Sequence, residues 1–360
     1  MTFSHGRTET ADKGSGMRAM VLREYDKALL CENVSEPTAG QGEVVVKVAA
    51  CGMCFTDVKI VTGQLASFVT LPHIPGHEIA GEIVSVGRGT PGLRVGDKGV
   101  AQFILSCGRC EYCQTGRDNL CFGIRRLGFE ENGGYAEYVA MPATNFIPYH
   151  AAVDPAVMAV IPDAVATPYH ALTYMVNLHA GQKVLIVGAG GLGLSAVQIA
   201  GLMGLRAAVA DINPASLELA SSLGAEWLIN SGQTDPAAAC RDITSGYGFD
   251  AVLEGVGYAG TMAWSLKSLK KDGTCIIMGY DPVNPVPVEL INIHNNQWRI
   301  VGTKVSTRNG LREAVELVEN GRIQPQIHET IALDQVNEAL AALKRGGRTG
   351  RTVITSFGAT

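Results

Sequence analysis

Four closely spaced cysteines in the first half of the chain could wrap a single metal ion. Two, two and seven residues separate them in turn, and the set is Cys107, Cys110, Cys113 and Cys121. Zinc prefers four thiolates in a closed tetrahedral site, which leaves no coordination position for chemistry. Iron–sulfur clusters also use four cysteines, but the long last gap fits zinc better. The run therefore predicts a structural zinc site.

A second set of possible metal ligands is spread over three short segments. Cys54 is followed two residues later by Thr56, and His77 is followed directly by Glu78. Asp163 lies much further along the chain, after a proline. One thiolate, one imidazole and one carboxylate leave the fourth position of a zinc ion open for water or an alcohol. The segments thus predict a catalytic zinc site, in which Glu78 supports the imidazole or transiently enters the coordination sphere.

Each of these side chains also has a purely structural interpretation. A lone histidine is more often a satisfied core residue than a ligand, and an aspartate before Ala164 is a good helix N-cap. Glu78 could be a buried salt-bridge partner. Cys51 and Cys54 form a C-x-x-C pair, as redox motifs do, but a metal-bound Cys54 leaves Cys51 as a small buried thiol. The motifs taken together favour the metal site.

A glycine-rich turn in the second half of the chain has the pattern of a dinucleotide-binding site. It follows an apolar strand signal and consists of Gly188, Ala189, Gly190, Gly191, Leu192 and Gly193. Gly188 permits the tight turn, Gly190 lets the backbone approach a pyrophosphate, and Gly193 allows close packing of helix on strand. The following helix N-terminus offers free N–H groups to the phosphates. The strand–turn–helix context disfavours the alternative of a flexible loop.

The end of the next predicted strand carries an acidic residue that distinguishes the two nicotinamide cofactors. Asp211 stands 18 residues after Gly193. A carboxylate there can accept hydrogen bonds from ribose hydroxyls and repels a 2′-phosphate. No Arg or Lys at 212–214 could hold that phosphate. The pattern predicts NAD rather than NADP, although Asp211 could also cap a helix.

The elements that must position these residues differ between two parts of the chain. From Met17 to about Pro162, short strand signals at 44–48, 79–86 and 135–139 are separated by glycines. From about 167 to 302, strands alternate with helices, which predicts a parallel sheet covered on both faces.

The predicted elements of this second part alternate regularly. They are strands at 183–187, 207–210, 227–229, 251–254, 274–278 and 299–303, and helices at 192–204, 214–223, 236–244 and 260–269. Beyond them, helices at 311–319 and 333–343 and a strand at 351–354 are predicted to return to the first part.

Composition excludes several classes of protein. The 360 residues suffice for two domains, and 46% hydrophobic with 18% charged residues is typical of a globular protein. A balance of 29 Lys and Arg against 34 Asp and Glu gives a net charge of −5, which argues against a nucleic-acid partner. The apolar runs are too short to cross a bilayer.

The N-terminus and the cysteine count bear on cellular location. The first 16 residues are polar and glycine-rich, unlike a signal peptide, and predict a disordered extension. Nine cysteines, an odd number without a secretion signal, argue against a disulfide framework. We therefore expect a cytoplasmic protein.

Together these motifs resemble the zinc-dependent alcohol dehydrogenases of the medium-chain dehydrogenase/reductase superfamily. The resemblance extends from about Met17 to the C-terminus and rests on Cys-x-Thr-Asp, Gly-His-Glu, the four-cysteine run, the glycine turn and Asp211. It implies an α/β fold with a GroES-like β-rich catalytic domain, 17–164 and 304–360, and a Rossmann domain with a doubly wound parallel sheet, 165–303. It also implies an active site between the domains, hydride transfer between an alcohol and NAD(H), and a homodimer or homotetramer.

Carried over residue by residue, the resemblance gives the catalytic segments individual roles. Cys54 and His77 would be the first two ligands of the catalytic zinc. Asp163 would be the third, a position that is Cys in many members and Asp in some. Thr56 would take the proton of the alcohol, and Asp57 would orient His77.

Further positions match contacts to cofactor and substrate, and two depart from the family pattern. Thr167 would pack against the nicotinamide, Arg308 would contact the pyrophosphate, and Phe103 would line the substrate pocket. Lys59 stands where many relatives carry a histidine that passes the proton onward, so the relay could end at Lys59, at the ribose or at water. Phe55 replaces a polar or basic residue.

Two rival functions stay open from the sequence. Polyol or sugar dehydrogenases of the same superfamily often use a glutamate ligand and can lack the four-cysteine lobe. The intact lobe, together with Asp163, favours simple primary or secondary alcohols. Loss of a zinc ligand or of Thr56 would indicate a non-catalytic zinc- and NAD-binding protein, and none is lost.

Overall fold

Two main sheets organise residues 16–150 and 152–358, which the computed structural model describes. The strands are, in chain order, β1 (Gly16–Val21), β2 (Leu30–Ser35), β3 (Glu43–Met53), β4 (Glu78–Val86), β5 (Lys98–Ala101), β6 (Ile104–Leu105), β7 (Arg125–Arg126), β8 (Tyr138–Pro142), β9 (Phe146–Pro148), β10 (Lys183–Val187), β11 (Arg206–Asp211), β12 (Trp227–Asn230), β13 (Phe249–Glu254), β14 (Leu269–Ile277), β15 (Arg299–Gly302), β16 (Ile327–Ala332) and β17 (Arg351–Ser356).

Helices connect and cover these sheets. They are α1 (Phe55–Val61), α2 (Glu111–Gln114), α3 (Pro155–Ala159), α4 (Ala166–Tyr174), α5 (Gly191–Leu202), α6 (Pro214–Ser222), α7 (Pro236–Ile243), α8 (Ala259–Lys267), α9 (Leu290–Asn296), α10 (Arg308–Glu319) and α11 (Val336–Arg345). A π-helical segment, Ile161–Val165, precedes α4. Short 3-10 turns occupy Ala66–Phe68, Asp118–Leu120, Ala143–Asn145 and Leu333–Gln335.

The second part of the chain forms a six-stranded parallel sheet in the order β12-β11-β10-β13-β14-β15. The strands are apolar because both faces are covered by helices. This arrangement confirms the doubly wound sheet predicted from the sequence. The order of the strands reverses between β10 and β13, and ligands bind such sheets at the carboxyl ends of strands beside this reversal.

The first part and the C-terminal strands share a seven-stranded sheet. Its path is β16-β17-β3-β4-β5-β9, and β8 also pairs with β3. The C-terminal strand β17 runs antiparallel to β3, with Ile354 opposite Cys51 and Thr352 opposite Met53. This register carries Arg351, the first residue of β17, to the end of β3 that leads into Cys54.

A continuous apolar core runs from one sheet to the other. It includes Ala50 and Val353 of the seven-stranded sheet and Val184 of the six-stranded sheet. The connection through the π-helical segment contributes Ile161 and Val165, both fully buried. The segment that carries Asp163 is therefore held rigidly between the two sheets.

Some local predictions differ from the observed elements. The strand predicted at 135–139 begins at Tyr138 instead, because the backbone of Tyr135 and Glu137 bonds to Met20 and Arg18 of β1, apart from the pairing of β8 with β3. The predicted extension, 1–16, lies outside the described residues except for Gly16, which begins β1. Among the described residues no helix is long and apolar enough to span a bilayer.

Candidate active site

The first residues of α1 hold a thiol and a carboxylate in a fixed relation. The backbone N–H of Cys54 donates to Asp57 Oδ2 at 2.8 Å, so the side chain of Asp57 turns back to the start of its own helix. Tyr135 Oη donates to the same oxygen at 2.9 Å. The other oxygen of Asp57 lies 3.3 Å from His77 Nδ1. Asp57 is fully buried and therefore links the thiol segment to the imidazole.

His77 lies directly before β4 and is enclosed by aromatic rings. Its ring centroid is 5.0 Å from that of Phe103 and 5.4 Å from that of Phe129. Gly76 before it has a φ of 98°, and a Cβ there would come within 2.4 Å of Tyr135. The turn therefore needs glycine, and it aims His77 Nε2 toward Asp163 Oδ2, 3.9 Å away.

Asp163 lies inside the π-helical segment rather than at a helix N-cap, so the structural alternative for this residue is wrong. Thr167 Oγ1 donates to Asp163 Oδ1 at 2.9 Å, and Arg351 Nη2 donates to Oδ2 at 2.9 Å. Cys54 Sγ lies 3.4 Å from the same Oδ2. Burial alone would raise the pKa of Asp163, but His77 and Arg351 hold it well below its usual range. The side chain is therefore an ionised carboxylate.

Glu78 approaches the same point from the first position of β4. Arg351 Nε donates to Glu78 Oε1 at 2.9 Å. The other oxygen of Glu78 is buried and has no hydrogen-bond partner among the described residues. Burial raises the pKa of Glu78 to about 8, although the Arg351 charge opposes this. A nearby cation would satisfy the unpartnered oxygen.

The donor set fits a zinc ion. Ligand atoms of Cys54, His77, Glu78 and Asp163 all lie within 4.8 Å of one another. Sulfur, imidazole nitrogen and carboxylate oxygen are the atoms that zinc binds in proteins, and three protein ligands leave a position for substrate. The predicted ligands are thus brought together although Cys54 and Asp163 lie 109 positions apart in the chain.

The four-cysteine lobe also closes around one point. Cys110 Sγ lies 3.5 Å from Cys113 Sγ and 3.9 Å from Cys121 Sγ. Cys107 Sγ lies 4.0 Å from Cys113 Sγ, and its backbone N–H donates to Cys121 Sγ at 3.2 Å. All four sulfurs lie within 4.8 Å of one another. This closed set fits the predicted structural zinc.

Electrostatics in the lobe favour a bound cation. Backbone N–H groups of Cys113 and Phe122 lower the pKa of the Cys110 thiol to about 6. Burial and the neighbouring sulfurs instead raise the pKa of Cys113 to about 12. All four thiols cannot ionise side by side without a metal ion, since each thiolate disfavours the next.

The glycine turn lies between β10 and α5, as predicted. Gly188 has a φ of 93°, and a Cβ on Gly193 would lie 1.9 Å from the carbonyl oxygen of Gly188. Strand β10 and helix α5 therefore approach so closely that only glycine fits at position 193. Around Gly190 a Cβ would meet no atom within 4 Å, which leaves its backbone open to a ligand.

Asp211 binds the glycine turn to the end of β11. Its Oδ2 accepts from the backbone N–H of Ala189 at 2.6 Å, and its Oδ1 accepts from that of Asn213 at 2.8 Å. The N-cap of α6 is Asn213, whose side chain accepts from Ala215 N–H. The helix-cap alternative for Asp211 is therefore wrong, and its carboxylate stands beside the turn, at the position expected for a ribose contact.

A cavity of about 640 Å³ connects the metal ligands with the glycine turn. It brings together most of the predicted site residues: Cys54, Thr56, Lys59, His77, Phe103, Asp163, Thr167, Gly188, Gly190, Gly191, Leu192 and Gly193. Asp57 and Glu78 lie behind the ligands, and Asp211 lies behind the turn. One cavity can thus hold a dinucleotide and a small substrate side by side.

Arg308 does not line this cavity, which corrects its predicted contact with the pyrophosphate. The helix α10 begins at Arg308 because Thr307 caps it, and the backbone N–H of Arg308 lies 3.2 Å from both oxygens of Asp118. Its guanidinium contacts Ser106 at 3.3 Å, on the side of the lobe.

Arg351 is the basic residue that reaches the glycine turn. A Cβ on Gly191 would lie 3.0 Å from its guanidinium, which also binds Glu78 and Asp163. It therefore connects the candidate metal ligands with the glycine turn. Sequence reasoning placed Arg351 at the start of a strand but assigned it no role, because its position depends on pairing with β3. The only indication in the sequence was an arginine at the start of an otherwise apolar strand.

Lys59 crosses the cavity toward the six-stranded sheet. Its Nζ donates to the backbone carbonyl of Tyr280 at 2.5 Å and lies 4.4 Å above the ring of Tyr280. Burial lowers the pKa of Lys59. The amine is thus engaged with the loop after β14.

Comparison with known proteins agrees with this geometry. Residues 40–151 match the family model of the alcohol dehydrogenase GroES-like domain, and residues 191–320 match that of the zinc-binding dehydrogenases. An alcohol dehydrogenase of Geobacillus stearothermophilus is 35% identical over 94% of this chain and 98% of its own. An NAD-dependent alcohol dehydrogenase of Sulfolobus acidocaldarius is 34% identical over 94% of this chain and 99% of its own.

A solved structure supports the same assignment. The alcohol dehydrogenase of the archaeon Aeropyrum pernix has a TM-score of 0.89 and 30% identity, covering 94% of this chain and 99% of that one. These matches confirm the predicted family, both cofactors and a small-molecule substrate. The chain belongs to the NAD-dependent, zinc-binding alcohol dehydrogenases of the medium-chain dehydrogenase/reductase superfamily.

Proposed function

We propose that Cys54, His77 and Asp163 hold the catalytic zinc of this enzyme, and that a primary or secondary alcohol is oxidised there to an aldehyde or ketone. The observation that carries the proposal is the convergence of these ligand atoms within 4.8 Å, on a cavity that also reaches the glycine turn. Bound in this cavity, zinc would supply a Lewis acid for an alcohol oxygen and NAD would accept the hydride.

The side chains around the ligands orient the substrate and move its proton. Thr56 Oγ1 lies 3.5 Å from Cys54 Sγ and faces the cavity, so its hydroxyl can accept the proton of a bound alcohol. Phe103 is 2% exposed and lines the same space, where its ring excludes water from the reacting atoms. Asp57 acts through His77 as a positioning residue.

On the cofactor side, backbone and charge provide the binding groups. The turn from Gly188 to Gly193 presents the N-terminus of α5, and Arg351 adds a positive charge beside Gly191. Asp211 is our proposed partner for the adenosine ribose hydroxyls. Thr167 lies on the cavity wall between these groups and Asp163 and is proposed to pack against the nicotinamide.

Metal analysis combined with a matched pair of aspartate variants tests the zinc assignment. We expect two zinc ions per subunit, NADH formation at 340 nm with simple alcohols, and loss of activity after chelation. D163N should lose one zinc ion and at least about 10²-fold in kcat/KM, because an amide is a poor zinc ligand. D154N makes the same chemical change at the N-cap of α3, where an amide oxygen can still accept the hydrogen bond from Ala156 N–H, and should keep both metals. Full activity of D163N with a single metal per subunit would refute the proposal.

A substrate panel separates this function from its rivals. Preference for polyols over simple alcohols would favour a polyol dehydrogenase, and binding of NADH without turnover of any alcohol would favour a non-catalytic protein. The presence of all three proposed zinc ligands and of Thr56 favours an enzyme that oxidises alcohols over a non-catalytic protein.

We also propose the division into a catalytic domain, 17–164 and 304–360, and a nucleotide-binding domain, 165–303. All strands of the six-stranded sheet lie within the second unit, and those of the seven-stranded sheet lie within the first. We propose a homodimer or homotetramer because an unpaired strand edge and exposed apolar side chains favour pairing with a second copy. Strand β15 is an edge strand, and Leu290 and Ile291 in α9 before it are 76% and 62% exposed.

A cytoplasmic location stays a prediction.

A further inference from the structure

The wall of the cavity contains a guanidinium that contacts two aromatic rings. The guanidinium carbon of Arg126 is 4.6 Å from the ring centroid of Phe68 and 4.1 Å from that of Phe129. The backbone of Arg126 pairs with Ile104 between β6 and β7. Its side chain is only 14% exposed and lines the cavity. Arg126 is therefore a fixed part of the wall, held by cation–π contacts with both rings.

The carboxylate of Glu130 accepts two hydrogen bonds from the Arg126 guanidinium. Arg126 Nε donates to Glu130 Oε2 at 3.1 Å, and Nη2 donates to Oε1 at 2.6 Å. The turn that holds Glu130 is tight, since the backbone N–H groups of Phe129 and Glu131 both donate to the carbonyl of Arg126. This two-point pairing offsets the positive charge of the guanidinium from behind the cavity wall, since Arg126 lines the cavity and Glu130 does not.

Between this pair and the metal ligands the wall is aromatic. The rings of Phe103 and Phe129 are nearly parallel, with an interplanar angle of 9° and centroids 6.4 Å apart, and both contact His77. A substituent on the reacting carbon would therefore meet apolar ring surfaces first and the paired Arg126 beyond them.

We propose that the Arg126–Glu130 pair determines substrate specificity, on the basis of the function proposed above. It makes the enzyme select alcohols and carbonyls that bear an uncharged aromatic or flat apolar group. The same compounds carrying a distal carboxylate are rejected, because Glu130 already fills the guanidinium fork and repels a second anion. Lys304 also lines the cavity but is exposed, so solvent screens its charge, and its contribution is the same in every variant below.

The test compares benzyl alcohol with 4-(hydroxymethyl)benzoate as substrates of the zinc-loaded full chain. In E130Q the guanidinium becomes available to a substrate carboxylate. We expect the ratio of kcat/KM for the carboxylate to kcat/KM for the neutral alcohol to rise about tenfold or more, mainly through KM. The gain should shrink at high salt.

A neighbouring ion pair provides the matched control. Glu131 pairs with Arg125 in the same turn, but both side chains are more exposed than those of the Arg126–Glu130 pair and neither lines the cavity. E131Q should leave the ratio unchanged. The double variant R126M/E130Q should lose the gain of E130Q, since no cation then remains at that position.

Three results would overturn the inference while leaving the zinc assignment intact. They are an unchanged ratio in E130Q, an equal rise in E131Q, or a wild-type preference for the carboxylate. Absence of NADH formation with both aromatic alcohols, in a wild type that oxidises simple aliphatic alcohols, would also overturn this inference alone. Absence of NADH formation with every alcohol of the panel would overturn the proposed function and this inference with it.

Discussion

Substitution of Gly193 by alanine should separate strand β10 from helix α5 and weaken both folding and cofactor binding. The added Cβ would lie 1.9 Å from the carbonyl oxygen of Gly188. Close carbon–oxygen contacts are about 3.3 Å, so backbone must move by roughly 1.4 Å. The atom in the way is a main-chain oxygen of the phosphate-binding turn, which cannot rotate aside as a side chain would.

The magnitude follows from two opposing terms. Overpacking of this kind costs up to about 3 kcal/mol, and alanine regains about 1 kcal/mol over glycine inside a helix. The net loss is about 2 kcal/mol, which lowers the unfolding temperature of a domain of this size by roughly 4–8 °C. Because the helix N-terminus moves with the turn, the Kd for NADH should rise at least about tenfold.

Alanine substitutions at two other glycines distinguish an effect on packing from an effect on cofactor binding. A Cβ on Gly201, also in α5, meets no atom within 4 Å, so G201A should raise the unfolding temperature and leave NADH affinity unchanged. A Cβ on Gly190 likewise meets no atom, and its φ of −81° suits alanine. G190A should keep the unfolding temperature but weaken NADH binding, because the methyl group stands where the pyrophosphate approaches.

The assays are thermal unfolding without cofactor and fluorescence titration with NADH, on the zinc-loaded protein. Wild-type values for G193A in both assays would show that helix and strand can separate freely, and would refute the close-packing explanation. A fall in unfolding temperature with unchanged Kd would show that the turn keeps its position although the helix moves.

Three further changes address other parts of the site. T56V should lower kcat/KM by about 10²–10⁴ while metal analysis still finds two zinc ions per subunit, because only the proton acceptor is removed; retained activity would assign the proton to another group. C110S should reduce the zinc content by one ion and lower the unfolding temperature, yet keep alcohol oxidation at low temperature, whereas an unchanged metal content would exclude Cys110 as a ligand. K59M should speed NADH dissociation severalfold in stopped-flow measurements, because it removes the bond from Lys59 to Tyr280. A shifted pH profile of kcat with unchanged dissociation would instead assign Lys59 to the proton relay.

Local signals predicted the nucleotide-binding part of the fold well. Strand β10 matches its predicted range, and β11 and α6 differ only at their ends. These elements are apolar, periodic and bounded by glycine or proline, so short-range pattern suffices. Helix α10, by contrast, begins three residues earlier than predicted, because the hydroxyl of Thr307 accepts from Gly310 N–H and adds a first turn with little apolar content.

Elements with weak patterns were not predicted. Strand β16 is mostly half-exposed and includes His328 and Glu329, so it has no apolar run. Helix α9 has only seven residues, contains several asparagines and exposes Leu290 and Ile291. Neither shows a periodicity that could be read from the sequence alone. Their positions depend on the strands beside them.

The position of Arg351 beside the ligand cluster could not be predicted from local sequence patterns. Arg351 reaches Glu78 and Asp163 only because β17 pairs with β3 in a register that sets Thr352 opposite Met53. A slip of one residue would turn its side chain to the other face of the sheet. That register depends on contacts between residues some 300 positions apart, and no spacing rule along the chain encodes it.

The charges at the ligand cluster explain why these distant segments must meet. Asp57, Glu78 and Asp163 place three buried carboxyl groups around one thiol, and Arg351 supplies one permanent positive charge. Buried anions are stable only when paired, so the carboxyl groups and the thiol cannot all ionise beside one guanidinium, and burial raises the pKa of Glu78 to about 8. A divalent ion at the point where the ligand atoms converge would make up the difference in charge. Arg351 would then complete the charge balance beside that ion, and its guanidinium also lies next to Gly191 of the glycine turn.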